Sequence, residues 1–96
     1  MIRSFGNKLA QGVFDGIRNK DVQKFPTYLI ESSAEKLDMI NAAVELKDLQ
    51  VPPGNKLKKL SGKLSEFHSI RINDQFRIIF KWNNGDAHEV MIVDYH

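Results

Sequence analysis

Apolar and polar residues recur along this chain with two different periods, and the change of period divides it. Ile2 to Phe5 alternates apolar and polar, as a short strand does. From Asn7 to Ile17, Leu9, Val13, Phe14 and Ile17 fall at helical spacing, interrupted by Gly12. The segment from Gly16 to Pro26 is polar and turn-rich, so this first helix is expected to stop near Arg18. A second helix is expected to begin as early as Phe25, because Pro26 suits a first helical turn. Within it Ser32 and Glu35 have the spacing of a capping box. Leu37, Ile40 and Val44 then form an apolar stripe, widened by Ala34, Met39, Ala43 and Leu46. Pro52-Pro53-Gly54 ends any helix that reaches it.

After a loop spanning Asn55–Leu64 the period falls to two. Phe67–Ile72, Gln75–Trp82 and Ala87–Asp94 are three strand candidates, and Asn84-Gly85 is the signature of a type I′ hairpin turn. A two-residue link between the first two strands would set Ile72 against Gln75. A three-residue link, Asn73-Asp74-Gln75, sets it against Phe76 instead. Only the longer link gathers Ile70, Ile72, Phe76, Ile78, Phe80 and Trp82 on one face, and a slip of one residue would invert a strand, so the longer link is preferred. Arg71 then lies opposite Arg77 on the other face, where like charges cost up to about 1 kcal/mol. Regular continuation through Asn84-Gly85 places Lys81, Val90, Ile92, Asp94 and His96 on the arginine face. It sends Met91, Val93 and Tyr95 to the core side and sets Arg77 opposite Ile92. The whole reads as α+β, one domain over residues 1–96, with two N-terminal helices on a small, mainly antiparallel sheet and a short N-terminal strand.

Charge sharpens this division. The protein has 96 residues and a net charge of +2. Residues 1–55 carry seven basic and seven acidic side chains, whereas Lys56 to Arg77 carries six basic against two acidic. Lys56, Lys58, Lys59, Lys63, Arg71 and Arg77 thus point to an anionic partner for the rear half. The absence of cysteine excludes a disulfide framework and thiolate chemistry, and three scattered histidines argue against a zinc site. No apolar run approaches a membrane span, and Met1–Phe5 lacks the apolar stretch of a signal peptide, so a cytoplasmic protein without metal or cofactor is expected. No basic recognition helix suited to reading DNA is evident.

An arginine pair that stability disfavours suits a phosphate site, because a guanidinium forks onto two phosphate oxygens and stays charged. The plainer alternative is two arginines splayed into water. Cleavage of RNA needs a base for the 2′-hydroxyl, cations for the pentavalent phosphorane and an acid for the departing 5′ oxygen. Arg71 and Arg77 supply the cations, and His96 or His68 supplies a group that titrates near neutrality.

Several segments together resemble the HigB toxins of the RelE-like superfamily, the plasmid maintenance killer type. They are Leu49-Gln50-Val51-Pro52-Pro53-Gly54-Asn55-Lys56-Leu57, Leu60-Ser61-Gly62, His68 through Phe80, and Val93-Asp94-Tyr95-His96, with Met1–Phe5 also matching. The resemblance implies a RelE-like fold and a metal-independent endoribonuclease that cuts messenger RNA in the ribosomal A site. It implies neutralisation by a HigA-type helix-turn-helix antitoxin, with DNA engaged only through that complex. Carried over, Arg77 matches the arginine expected to stabilise the transition state and Arg71 a substrate-binding one. His96 matches the histidine of proton transfer, with Asp94 and Tyr95 beside it. Lys56, Lys58, Lys59 and Lys63 match a basic segment expected to contact RNA. Some relatives carry a histidine where this chain reads Lys56-Leu57-Lys58-Lys59-Leu60, so the general base stays unassigned. Two other classes stand beside this one: a non-catalytic RNA- or ribosome-binding module, and a regulatory protein that acts by pairing with an antitoxin.

Overall fold

The computed structural model describes residues 1–95; His96, expected to transfer protons, lies outside the described residues. Helix α1 spans Lys8–Asp15. Asn7 caps it by accepting from the Ala10 N–H at 3.0 Å, and Gly16 ends it in the left-handed conformation at φ 71°, which costs glycine nothing. The polar stretch that follows holds a short helix, α2, Lys20–Lys24, which the sequence pattern did not predict. Asn19 caps it at 2.9 Å, and the buried Val22 ties it to the core. One apolar residue in five is too little periodicity to announce a helix.

Helix α3 spans Ile30–Ala42, so it ends well before Pro52. Leu37 and Ile40 are fully buried as expected, but Val44 is 76% exposed and lies past the helix end. Ser32 is inside the helix, with its hydroxyl donating back to the Leu29 carbonyl at 3.2 Å, and caps nothing. The capping carboxylate is instead Asp48, which accepts from the Val44 and Glu45 N–H groups at 3.0 and 2.9 Å. Those two bonds hold its pKa below the usual carboxylate range. They start a 3-10 turn at Leu46–Gln50, and a further one spans Pro53–Asn55.

Four strands follow in sheet order β1-β2-β3-β4, all antiparallel: β1 Lys58–Lys59, β2 Phe67–Arg71, β3 Phe76–Asn83 and β4 Asp86–Asp94. The loop predicted over Asn55–Leu64 therefore contains a short edge strand. Ile2 and Phe5 bridge Ala87 and Val90 in parallel, so the N-terminal segment flanks β4 as a rudimentary fifth strand. An ion pair from the N-terminal amine and one from Arg3, both to Asp86, pin its start.

The helices cover one face of the sheet. Ala10, Leu37, Ile40, Ile70, Ile78, Phe80 and Val90 there are wholly buried. Burying such aliphatic and aromatic side chains contributes roughly 1.5–3 kcal/mol each. The other face, called the open face below, has a smaller apolar patch of Leu60, Phe67 and Ile79, edged by Met91 and Val93.

The register of the first hairpin is the predicted one, with Arg71 paired to Arg77 and Ile70 to Ile78. Asn73 closes its loop by accepting from the Gln75 and Phe76 N–H groups at 3.0 and 2.7 Å. The second hairpin departs from prediction. It begins regularly, with Asn84 and Gly85 at φ 52° and 80° as a type I′ turn requires, and Lys81 pairs with His88. Beyond that point Ile79 pairs with Met91 and Arg77 with Val93, so β4 carries one residue more than β3. The extra residue is Glu89, at φ 52°. This β-bulge sends Val90 and Ile92 to the helix side, and Asp94 with them, opposite Phe76. Met91, Val93 and Tyr95 move to the open face, opposite to the regular-hairpin expectation.

Candidate nucleic-acid interface

Arg77 is the centre of the open face. It is 9% exposed, low for an arginine, because its guanidinium is held from two sides. Nε donates to the Ser69 hydroxyl at 2.9 Å, and Nη2 donates to the Lys56 carbonyl at 2.8 Å. Ser69 is itself fully buried on β2. Lys56 can turn its carbonyl inward because it takes a left-handed conformation, φ 46°, at the end of the 3-10 turn. A guanidinium has five N–H groups, so the remainder stay available to a ligand. Burial lowers the pKa of Arg77, Tyr95 opposes that, and Arg71 across the ladder adds to it. A buried cation without a carboxylate partner is costly, and an anionic ligand would complete it.

Tyr95 covers this group. Its ring centroid lies 5.6 Å from the guanidinium carbon of Arg77 and 5.2 Å from the Lys58 ammonium. The bulge makes this possible, since alternation without it would turn Tyr95 to the helix side. Gln75 fixes the same corner: its carbonyl accepts from the Tyr95 N–H at 2.7 Å, and its side-chain amide donates to Asp94 at 3.0 Å. Arg71 pairs with the exposed Asp74 in the hairpin loop.

The predicted lysines separate. Lys58 pairs with Ser69 and shares the open face with Arg77, whereas Lys59 pairs with His68 and shares the helix side. Lys63 sits exposed in the 3-10 turn Gly62–Leu64. Lys56 contributes its backbone carbonyl, with its side chain in solvent. Lys81 is on the open face, but Glu89 at 2.7 Å and Glu66 at 3.6 Å neutralise it and raise its pKa. Among the described residues the positive end of this face without an ion pair is therefore the end around Arg77 and Lys58, with Arg71 beside it paired only to the exposed Asp74.

His68 does not join them. Its ring stacks on Phe80 on the helix side, 6.3 Å between centroids, with Nδ1 buried and unbonded. Burial first, and Lys59 second, lower its pKa, which favours the neutral ring. As a proton-transfer candidate it is on the wrong side of the sheet. Asp94 likewise leaves the arginine face, by the register shift at Glu89. A cavity of about 360 Å³ near Asn7, Phe25 and Phe76 also opens on the helix side, away from Arg77.

Sequence reasoning missed Ser69, Gln75 and the Lys56 carbonyl, because ordinary polar residues and a main-chain oxygen carry no compositional signal. Ser69 was recoverable in part, since alternation from Arg71 puts it on the same face. Among the described residues no group of three or more His, Asp or Glu could hold a metal ion, and no helix is long and apolar enough to cross a membrane.

The family model for the RelE-like toxin of type II toxin–antitoxin system HigB matches residues 4–96. The chain is 45% identical over 64 residues to Toxin HigB-1 of Vibrio cholerae, covering 62% of this chain and 67% of that protein. It is 31% identical over 101 positions to Endoribonuclease HigB of Proteus vulgaris, covering 100% of each. Its backbone is similar to a chain in the YoeB-YefM complex from Staphylococcus aureus, with a TM-score of 0.61 over 100% of this chain and 98% of that one. At 17% identity that likeness concerns the RelE-type fold alone.

Proposed function

The chain belongs to the HigB-like toxins, RelE-like members of type II toxin–antitoxin systems, and from that premise we propose that it is a ribosome-dependent endoribonuclease. It cuts messenger RNA in the A site, without a metal, and a HigA-type antitoxin neutralises it in the cytoplasm. The observation that carries this reading is the guanidinium of Arg77, buried and locked by Ser69 and the Lys56 carbonyl beneath Tyr95. Locking a cation before substrate arrives spares its reorganisation when charge develops, which is how a preorganised site stabilises a transition state.

The 2′-hydroxyl gives its proton to solvent and attacks the adjacent phosphorus, the P–O5′ bond breaks, and the departing oxygen takes up a proton, leaving a 2′,3′-cyclic phosphate and a free 5′-hydroxyl. Arg77 stabilises the charge that builds on the phosphorane oxygens. Arg71, facing it across the ladder, binds phosphate in exchange for its surface partner Asp74. Tyr95 offers a face on which a base stacks, worth roughly 1–3 kcal/mol. Lys58, Lys59, Lys63 and Lys56 add long-range attraction to RNA from the edge of the sheet. Proton transfer to the departing oxygen is assigned to His96, next to Tyr95 in sequence.

Regulated expression of the wild type beside Arg77→Ala tests this. Expected is growth arrest with translation-dependent messenger cleavage by the wild type. The variant should lose about 10²–10³-fold in cleavage rate, as when one preorganised donor is removed from an oxyanion-type site. Equal toxicity of the two proteins, or cleavage by neither, overturns the assignment. A wild type that binds ribosomes and stalls them without cutting identifies the non-catalytic module instead.

A further inference from the structure

Lys36 is a charged group that the site described above does not use, and it comes from a different part of the chain. It sits on α3 beside the fully buried Leu37, with its stem half-buried and its ammonium bonded to the side-chain oxygen of Asn55. Asn55 is wholly buried and its orientation is fixed. Its amide nitrogen donates to the carbonyls of Leu49 at 3.2 Å and Val51 at 3.4 Å, which leaves the oxygen for Lys36. The next residue, Lys56, gives its carbonyl to Arg77. Two consecutive residues therefore connect the Lys36 ammonium to the Arg77 guanidinium.

Arg71, paired with Arg77 across the ladder, acts on both charges. Burial lowers the pKa of Lys36, the charge of Arg71 lowers it further, and Glu35 on the same helix opposes. Arg71 acts on Arg77 in the same sense. Arg71 thus repels both cations that meet the Asn55–Lys56 turn. No carboxylate among the described residues makes an ion pair with Lys36 or Arg77, and Arg71 has only the exposed Asp74. An ammonium has three donors, and Asn55 occupies one of them. A like-charged cluster assembled by three separate elements, at the expense of stability, is completed by an anion.

We infer that Lys36 is a phosphate-binding residue of this interface, holding an RNA backbone phosphate beside the one that Arg71 and Arg77 engage. The inference rests on the proposed ribonuclease function and adds α3 to its binding surface. The phosphate belongs either to the messenger or to ribosomal RNA, since the chemistry is shared.

The test is binding of the intact protein to ribosomes programmed with a 2′-O-methylated messenger, which cannot be cut, across a salt series. Bare ribosomes provide the second arm. Lys36→Gln removes the charge and keeps a donor for Asn55, and Lys36→Arg restores the charge. Expected is a three- to tenfold weakening for Lys36→Gln, with the slope of log K against log salt shallower by about 0.7–0.9, one phosphate contact. The melting temperature should stay within a few degrees, and Lys36→Arg should recover both affinity and slope. A loss confined to the programmed ribosome assigns the phosphate to the messenger, and an equal loss on bare ribosomes assigns it to ribosomal RNA. An unchanged slope, or a loss that follows melting temperature and that Arg does not rescue, overturns the inference. If Arg77→Ala weakens binding while Lys36→Gln matches the wild type, this inference alone fails. If the wild type itself shows no salt-dependent binding, the ribonuclease reading fails with it.

Discussion

Between β2 and β3 the ladder runs unbroken from Arg71–Arg77 to Phe67–Lys81, whereas between β3 and β4 it shifts by one residue at Glu89. The first hairpin is closed locally: Asn73 caps its own loop, and Ile70, Ile72, Phe76, Ile78 and Phe80 on one face against Ser69, Arg71, Arg77 and Lys81 on the other fix the register. The second is set from a distance. Glu89 takes a left-handed conformation that costs on the order of 1 kcal/mol for a non-glycine residue. Its N–H donates to the Ser4 hydroxyl at 2.9 Å, and the Val90 N–H donates to the Ser4 carbonyl at 3.0 Å. Net contributions of about 1 kcal/mol for each bond offset the backbone cost. The N-terminal segment, 85 residues away from Glu89 in sequence, therefore holds the irregularity that turns Tyr95 over Arg77. A hairpin with local closure supplies the arginines, and a hairpin corrected by a distant segment supplies their cover.

The largest effect comes from a charge placed on one or the other face of β4 beyond the bulge. Ile92 is 2% exposed against the helices, while its neighbour Val93 edges the open-face patch. Ile92→Asp buries an unpaired carboxylate and is expected to lose at least about 4 kcal/mol in urea unfolding, enough to unfold many small domains. Val93→Asp is expected to cost only about 1 kcal/mol. The reverse order would mean that β4 alternates regularly through Glu89.

A smaller effect comes from the N-terminal contact itself. A Cβ added at Gly6 would lie 2.5 Å from Met91 Cγ and 3.0 Å from the Glu89 carbonyl oxygen. Gly6→Ala is therefore expected to destabilise by about 1–3 kcal/mol, as overpacking does, and to weaken toxicity in parallel. A urea midpoint equal to that of the wild type would show that the bulge does not depend on this close approach.

The smallest effect concerns the helix side of the first hairpin. Burial holds the folded-state pKa of His68 below its unfolded value of about 6.5. Stability associated with the neutral ring is thus present above pH about 6.5 and lost as pH falls through the folded-state value, because the unfolded chain binds the proton first. His68→Phe retains a ring against Phe80 and removes both the titration and the unbonded Nδ1. Thermal melts at pH 5 and pH 8 should differ less for the variant than for the wild type. Equal differences would mean that His68 does not titrate on unfolding.

Much of this arrangement was legible in the residues, and the parts that were not share a cause. Ile70, Ile72, Phe76, Ile78 and Phe80 alternate with polar or charged residues at enough positions to admit one register, so the Arg71–Arg77 pair followed. Val90-Met91-Ile92-Val93 is apolar at every position. Either alternation buries comparable side chains, so hydrophobicity does not choose between them. The regular hairpin was the simpler choice, and it put Val90, Ile92 and Asp94 with the arginines and Tyr95 away from them. The same limit applies to α3, where a stripe that included Val44 and Leu46 suggested more helix than forms. There the Asp48 carboxylate captures the Val44 and Glu45 N–H groups and begins a different turn.

By itself, the sequence determined the α+β class, the core stripe through Leu37 and Ile40, the first hairpin's register, and the basic character of the segment from Lys56 to Arg77. These rest on local periodicity and charge, which neighbouring residues decide among themselves. Tertiary structure decided which face Tyr95 and Asp94 take, which lysines share the face of Arg77, that Ser69 and the Lys56 carbonyl hold Arg77, and that Asn55 links Lys36 to the same turn. Each of these depends on hydrogen bonds or packing between segments far apart in the chain. Their free energies appear only when those segments meet, and no window of sequence contains both partners.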